Sequence, residues 1–163
     1  MKLVNSLAEV TSAVKQCITN EMVENGLLND VETFIPSYRV DEPMELPAIW
    51  LFEHPTIESD KKGSLSNVIY LKTPFEFVCI VYDEDLEQSE ILGKNLAARV
   101  GHTILKNKNL ITDDGRRIFN NVKFRTLYPA GEVQIDGKTN KTPATSIVLE
   151  IEYFVDWLKC NKI

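Results

Sequence analysis

The run Phe77-Val78-Cys79-Ile80-Val81-Tyr82 is apolar at even and odd positions alike, and it passes through Asp83-Glu84-Asp85 into a helical pattern from Leu86 to about Lys106. A strand is apolar at every position only when both its faces are covered, so this run predicts a central strand. Asp85 followed by Gln88 has the capping-box spacing that opens a helix. On that helix Leu92, Leu96, Val100 and Ile104 form the stripe expected to face the core. Ile91, Ala98 and Leu105 form a second seam, and Gly93, Ala97 and Gly101 recur every four residues as a shallow ridge that admits close approach of another backbone. A helix lying on one sheet does not need that much packable surface. The N-terminal helix is one way to cover it, and a neighbouring subunit is the other. Ile91, Gly93, Ala97, Ala98, Gly101 and Leu105 are therefore the candidate oligomer interface.

The remaining elements follow from periodicity and punctuation. Ser6-Leu7-Ala8-Glu9 reads as a capping box, and Leu7, Val10, Val14, Cys17, Ile18 and Met22 share one helical stripe, with Gly26 as its stop. Thr33 to Val40 and Pro47 to Glu53, punctuated by Pro36, Pro43 and Pro47, read as edge strands. His54 to Asn67 carries turn formers and mixed charge, so a mobile loop is expected at about 55–67, with Lys61 and Lys62 open to trypsin or to a partner. Strands are expected from Val68 to Lys72, from Phe75 to Tyr82 and from about Asn121 to Tyr128. The third of these ends in a turn at Pro129-Ala130-Gly131, with a short return strand from Glu132 to Ile135. Asp136-Gly137 signals a hairpin, and Thr145 to Trp157 alternates as a half-buried antiparallel strand. These elements predict one α+β domain over residues 1–163: a mainly antiparallel β-sheet with two long α-helices packed on one face.

Composition restricts what such a domain does. A formal charge of −6 and a pI near 5.0 argue against a protein whose main task is gripping phosphate backbones, which needs clustered cations. Cys17, Cys79 and Cys160 have no CxxC spacing, which favours reduced thiols in a cytosolic compartment. The longest unbroken apolar run, Phe77 to Tyr82, is far short of a bilayer span, so no membrane partner is expected.

Candidate chemistry is sparse. Asp83, Glu84, Asp85, Glu87 and Glu90 suggest a divalent-metal or nuclease site, but acids at a helix N-terminus are also what its dipole favours. His54 and His102 have no neighbouring His or Cys, and the seven glycines are too dispersed to build a phosphate-cradling loop. The expectation is no catalytic residue, no metal and no cofactor. Arg117, Lys123 and Arg125 fall on one side of a strand if pairing is continuous, and Trp157 near the C-terminus is a candidate anchor. Together with Lys61 and Lys62 these are the candidate partner contacts.

The N-terminal helix Leu7 to Met22, the strand Phe75 to Tyr82 leading into Gln88 to Lys106, and the ending Ile147-Val148-Leu149-Glu150-Ile151-Glu152-Tyr153-Phe154 resemble, in pattern and order, the tail terminator and tail-completion proteins of long-tailed bacteriophages. That resemblance implies an α/β sandwich assembling into a ring, usually a hexamer, on the end of the tail tube. The ring stops tube growth and offers a surface to the head or neck. It further implies the tail tube protein and a neck or head-completion protein as partners, DNA only as a passenger through the ring, and a place in the virion after assembly in the bacterial host cytoplasm. Two alternatives are another neck or head–tail connector protein and a small metal-dependent nuclease using the Asp83 to Glu90 acids. The family carries no motif that assigns a role to a single residue.

Overall fold

The computed structural model describes residues 3–4, 6–36, 44–59, 67–135, 137 and 141–160, the side chains of 159 and 160 excepted. In chain order the elements are α1 (Leu7–Glu21), β1 (Thr33–Ile35), β2 (Ala48–Glu53), β3 (Ile57–Glu58), β4 (Val68–Ile80), α2 (Leu86–Leu105), β5 (Asn121–Val133), β6 (Thr142–Asp156) and a terminal turn of helix, α3 (Trp157–Cys160). The strands form one sheet in the order β1-β2-β4-β6-β5, with β3 beside the first half of β4. Only β1 and β2 run parallel; every other pair is antiparallel. This is an α+β fold with a mainly antiparallel sheet and both long helices on one face.

Strand alternation decides which residues meet the helices. Leu71, Phe75, Phe77 and Cys79 of β4 and Ile147, Leu149, Ile151, Tyr153 and Val155 of β6 share one buried core with Val10, Val14, Cys17 and Ile18 of α1 and Leu96, Ala97, Val100 and Ile104 of α2. The opposite face has a smaller apolar cluster at the end of β4, where Val78, Ile80 and Ala144 pack with Met44, Leu46, Trp50, Phe52 and Val133. The two-sided apolar character of Phe77 to Ile80 thus has a cause on each side, and β4 is the middle strand of the order. Pro74 lies inside β4 where its β2-side neighbours are interrupted: β2 pairs Phe75–Ile80, β3 pairs Leu71 and Lys72, and the break falls opposite the residue that has no N–H to give.

Several local expectations change. β2 lies between β1 and β4, so Ala48–Glu53 is not an edge strand over its first half. Within the expected loop, Ile57 and Glu58 form β3, and the Ser59 amide donates to the Tyr70 carbonyl at 2.8 Å. Lys61 and Lys62, and most of the expected mobile loop, lie outside the described residues. Pro129-Ala130-Gly131 is not a turn with a return strand after it. β5 runs on to Val133 through a register shift between Pro129 and Glu132, with Gly131 at φ +94, so that Glu132 and Val133 still pair with β6. Ser6 occupies the N-cap of α1, but its side chain makes no capping bond; Glu9 turns away to Arg116. After α1, Asn25 takes the left-handed conformation at φ 67, and a Cβ at Gly26 would lie 2.1 Å from the Glu21 carbonyl oxygen, which leaves room for glycine alone.

Candidate functional site

The Gly93-Ala97-Gly101 ridge of α2 faces its own sheet, which corrects its assignment to a neighbouring subunit. A Cβ on Gly93 would meet Thr145 Oγ1 at 3.3 Å, one on Gly101 would meet Ile147 Cδ1 at 2.7 Å, and Ala97 is fully buried. The small side chains let α2 settle closely on β4 and β6. With that face against the sheet, successive 100° steps put Ala98 about 100° round on one side of the helix and Arg99 about 160° round on the other. Arg99 Nη1 donates to the Leu27 carbonyl at 3.1 Å and pairs with Asp30 at 2.5 Å, which fixes its flank toward the α1–β1 connection. The opposite flank carries the seam. Ile91 is 44% exposed and Ala98 is exposed, while Leu105 is half-buried against the main core.

The β5 side of the same face is also uncovered. Phe124 pairs with Leu149 and Leu127 with Ile147, and cross-strand partners share a face, so both point to the helix side. Yet Phe124 is 55% exposed and Leu127 36%, because β5 is the last strand and extends past the cover of α2. Every described side chain from Phe124 to Glu132 is exposed. No periodicity argument singled out this strip. The available signal was the apolar content of a strand whose neighbour on one side is missing, and strand order is not visible in a sequence.

On the helix-free face, β5 is tied down by charge. Glu152 is 1% exposed; it accepts from Lys123 Nζ at 2.5 Å and from the Tyr70 hydroxyl, which in turn accepts from Asn120 Nδ2 at 3.1 Å. Glu150, also buried, pairs with Arg125, which sits at the register shift between Phe124 and Thr126. Lys123 and Arg125 are therefore engaged within the chain and are not a free basic stripe. Arg117 does not extend that stripe: it precedes β5, in an isolated bridge with Ile111, and reaches Asn120 Oδ1 at 3.5 Å. Trp157 is 45% exposed beyond the end of β6. The sequence reading missed the burial of Glu150 and Glu152. Their signal was a pair of cations two residues apart on the strand that becomes their neighbour.

Glu76, next along this face, accepts from His54 Nε2 at 3.0 Å, from the Tyr128 hydroxyl at 3.0 Å and from Ser146 Oγ at 2.8 Å. Burial pushes its carboxyl up, but the bonds from Ser146, His54 and Tyr128 outweigh that and hold it below its usual value of 4.5. A carboxylate with a lowered folded pKa stabilises the fold above its unfolded value and loses that contribution as pH falls through the folded one. Glu76→Gln is thus expected to lower the urea midpoint near neutrality and to approach the parent as the pH falls below 4.5 and on through the lowered folded value. A constant deficit across that window would show that the Glu76 charge is not what these bonds stabilise.

The acids before α2 act on the backbone. Asp85 Oδ1 accepts from the Glu87 amide at 3.0 Å and Asp83 Oδ1 from the Asp85 amide at 2.9 Å, while Ser89 Oγ closes on Asp83. Among the described residues no three His, Cys, Asp or Glu side chains gather where they could share a metal ion. A groove of about 640 Å³ runs along α1, bounded by Glu9–Arg116 at one end and Glu21–Lys106 at the other. Cys17 on its floor is buried, which raises its thiol pKa to about 11 and keeps it in the unreactive protonated form. No helix of the described residues is long and apolar enough to cross a membrane. Compared with known protein families and with curated proteins, the chain matches none.

Proposed function

We propose that this chain is a virion assembly protein of long-tailed bacteriophages. It acts as a tail terminator does, forming a homo-oligomeric ring on the end of the tail tube that stops polymerisation and presents a surface to the head or neck. The observation that carries the reading is the uncovered side of the sheet. Apolar side chains of β5 (Phe124, Leu127), on the helix face of the sheet, and of the outer side of α2 (Ile91, with Ala98 beside it) are exposed. Exposed apolar side chains of this kind offer an association surface, and head-to-tail association through unlike surfaces closes into rings when the rotation permits. The ion pairs from Lys123 and Arg125 to the buried Glu152 and Glu150, which hold β5 in place, support the same reading, since a surface used for assembly has to keep its shape.

Ala98→Glu tests it. Ala98 is exposed, so the substitution should change folding stability by no more than about 0.5 kcal/mol. The same carboxylate placed in an interface would have to be desolvated without a partner. The expected outcome is a normally folded chain that no longer assembles on tail tubes. Assembly equal to the parent's removes the α2 seam from the interface.

A further inference from the structure

We propose that Tyr128, anchored on Glu76, locks the strand register that turns Leu127 to the assembly face. The lock rests on the ring reading above and names what positions its β5 surface. Phe124 and Leu127 are three residues apart, and straight strand alternation puts such residues on opposite faces. Both face the helices here because β5 holds an extra residue between Phe124 and Thr126: Phe124 pairs with Leu149, yet Thr126 pairs with Val148 and Leu127 with Ile147. If that shift closed, every residue after it would move by one position, and Leu127 would turn to the helix-free face opposite Ser146.

Little else holds the stretch from Thr126 to Pro129. A second register shift follows it, β5 has a strand on one side only, Leu127 is 36% exposed, and Thr126 and Pro129 are exposed. An edge segment with so few buried contacts opens at low cost. Tyr128 is its tie to the rest of the sheet. Its hydroxyl reaches across β6 and donates to Glu76 Oε2 on β4 at 3.0 Å, beside Ser146, which donates to the same oxygen at 2.8 Å. A bond to a carboxylate is stronger than one between neutral groups. Closing the shift would carry Tyr128 to the helix side, opposite Thr145, where Glu76 is on the other face. Arg125 would then stand opposite Val148, still beside Glu150, so its ion pair does not choose between the two registers. The Tyr128–Glu76 bond does choose, and it selects the register that gives β5 its apolar strip.

Tyr128→Phe removes the hydroxyl and keeps the ring. Hydrogen exchange in the full-length chain should run about tenfold faster at the β5 amides after Thr126, the effect of losing one hydrogen bond to a charged group, with the amides of β4 and the urea midpoint little changed. On tail tubes the same variant should assemble less than the parent. Deleting Thr126 supplies the rescue: it removes the extra residue, so that Arg125 pairs with Val148 and Leu127 keeps Ile147 with no shift between them. The chain carrying both changes should fold, as read by circular dichroism, and assemble as the parent does. Unchanged exchange in Tyr128→Phe would overturn the lock whether or not rings form. So would a loss of assembly that deleting Thr126 does not restore, since the hydroxyl would then act other than through register. A parent chain that shows the exchange difference but never assembles defeats the ring reading and leaves the lock standing.

Discussion

Phe77→Ala is expected to destabilise the domain by about 3–5 kcal/mol, read as a large drop in the urea midpoint with the slope of the transition little changed. Phe77 is fully buried on the helix face of β4, paired with Leu51 on one side and Ile147 on the other, in the core shared by both helices and the sheet. No neighbouring element can close the gap, because β4 is held on both edges. A domain of this size is typically stable by only about 5–15 kcal/mol, so the variant should show a measurable unfolded fraction well below the parent's transition. A cost of 1 kcal/mol or less, on the scale of a surface change, would mean that β4 is not the centre of the packing.

The second large effect concerns the ion pair beneath β5. Lys123→Met removes the cation from the buried Glu152 carboxylate, which keeps the Tyr70 hydroxyl among its donors, and breaking a buried ion pair costs about 3–5 kcal/mol when the pair is fully enclosed. Lys123 is 42% exposed, and water screening reduces the expected loss to about 2 kcal/mol. Adding Glu152→Gln should recover most of it, since the amide oxygen still accepts from Tyr70 and no charge is left behind. The cycle is read from the urea midpoints of both single variants, the double variant and the parent. Strict additivity of the two single effects would show that Lys123 and Glu152 are not coupled, and the claim that charge holds β5 in place would fall.

What was legible in the sequence was what short-range periodicity encodes. Phe77 to Ile80, the cap at Asp85 and the α2 stripe lie within a window that local pattern covers, and the predicted α+β arrangement followed from them. Glu150 and Glu152 show where that stops. Alternation placed them on a solvated face, but Arg125 and Lys123, more than twenty residues upstream, come across from the neighbouring strand and allow the carboxylates to be buried. Glu9 illustrates the same limit, drawn from its capping role by Arg116, which only the folded chain brings near. Pro129-Ala130-Gly131 failed for a different reason: the residues that make a turn also make a register shift in a continuing strand. The α2 ridge was recognised as a close-approach surface, but periodicity does not say whose backbone approaches, and it is the chain's own sheet. The candidate interface was thus half legible, in Ile91 and Ala98, and its β5 half depends on strand order.

The central claim is assembly on a tube end, and native mass spectrometry of the full-length chain, alone and mixed with tail tubes, tests it most directly when paired with electron microscopy of the tubes. The account predicts a closed oligomer of one stoichiometry, formed on the tubes even if the free chain is monomeric, sitting at tube ends and blocking their further growth. A chain that stays monomeric in both conditions, while tubes elongate as freely in its presence as without it, would contradict the account.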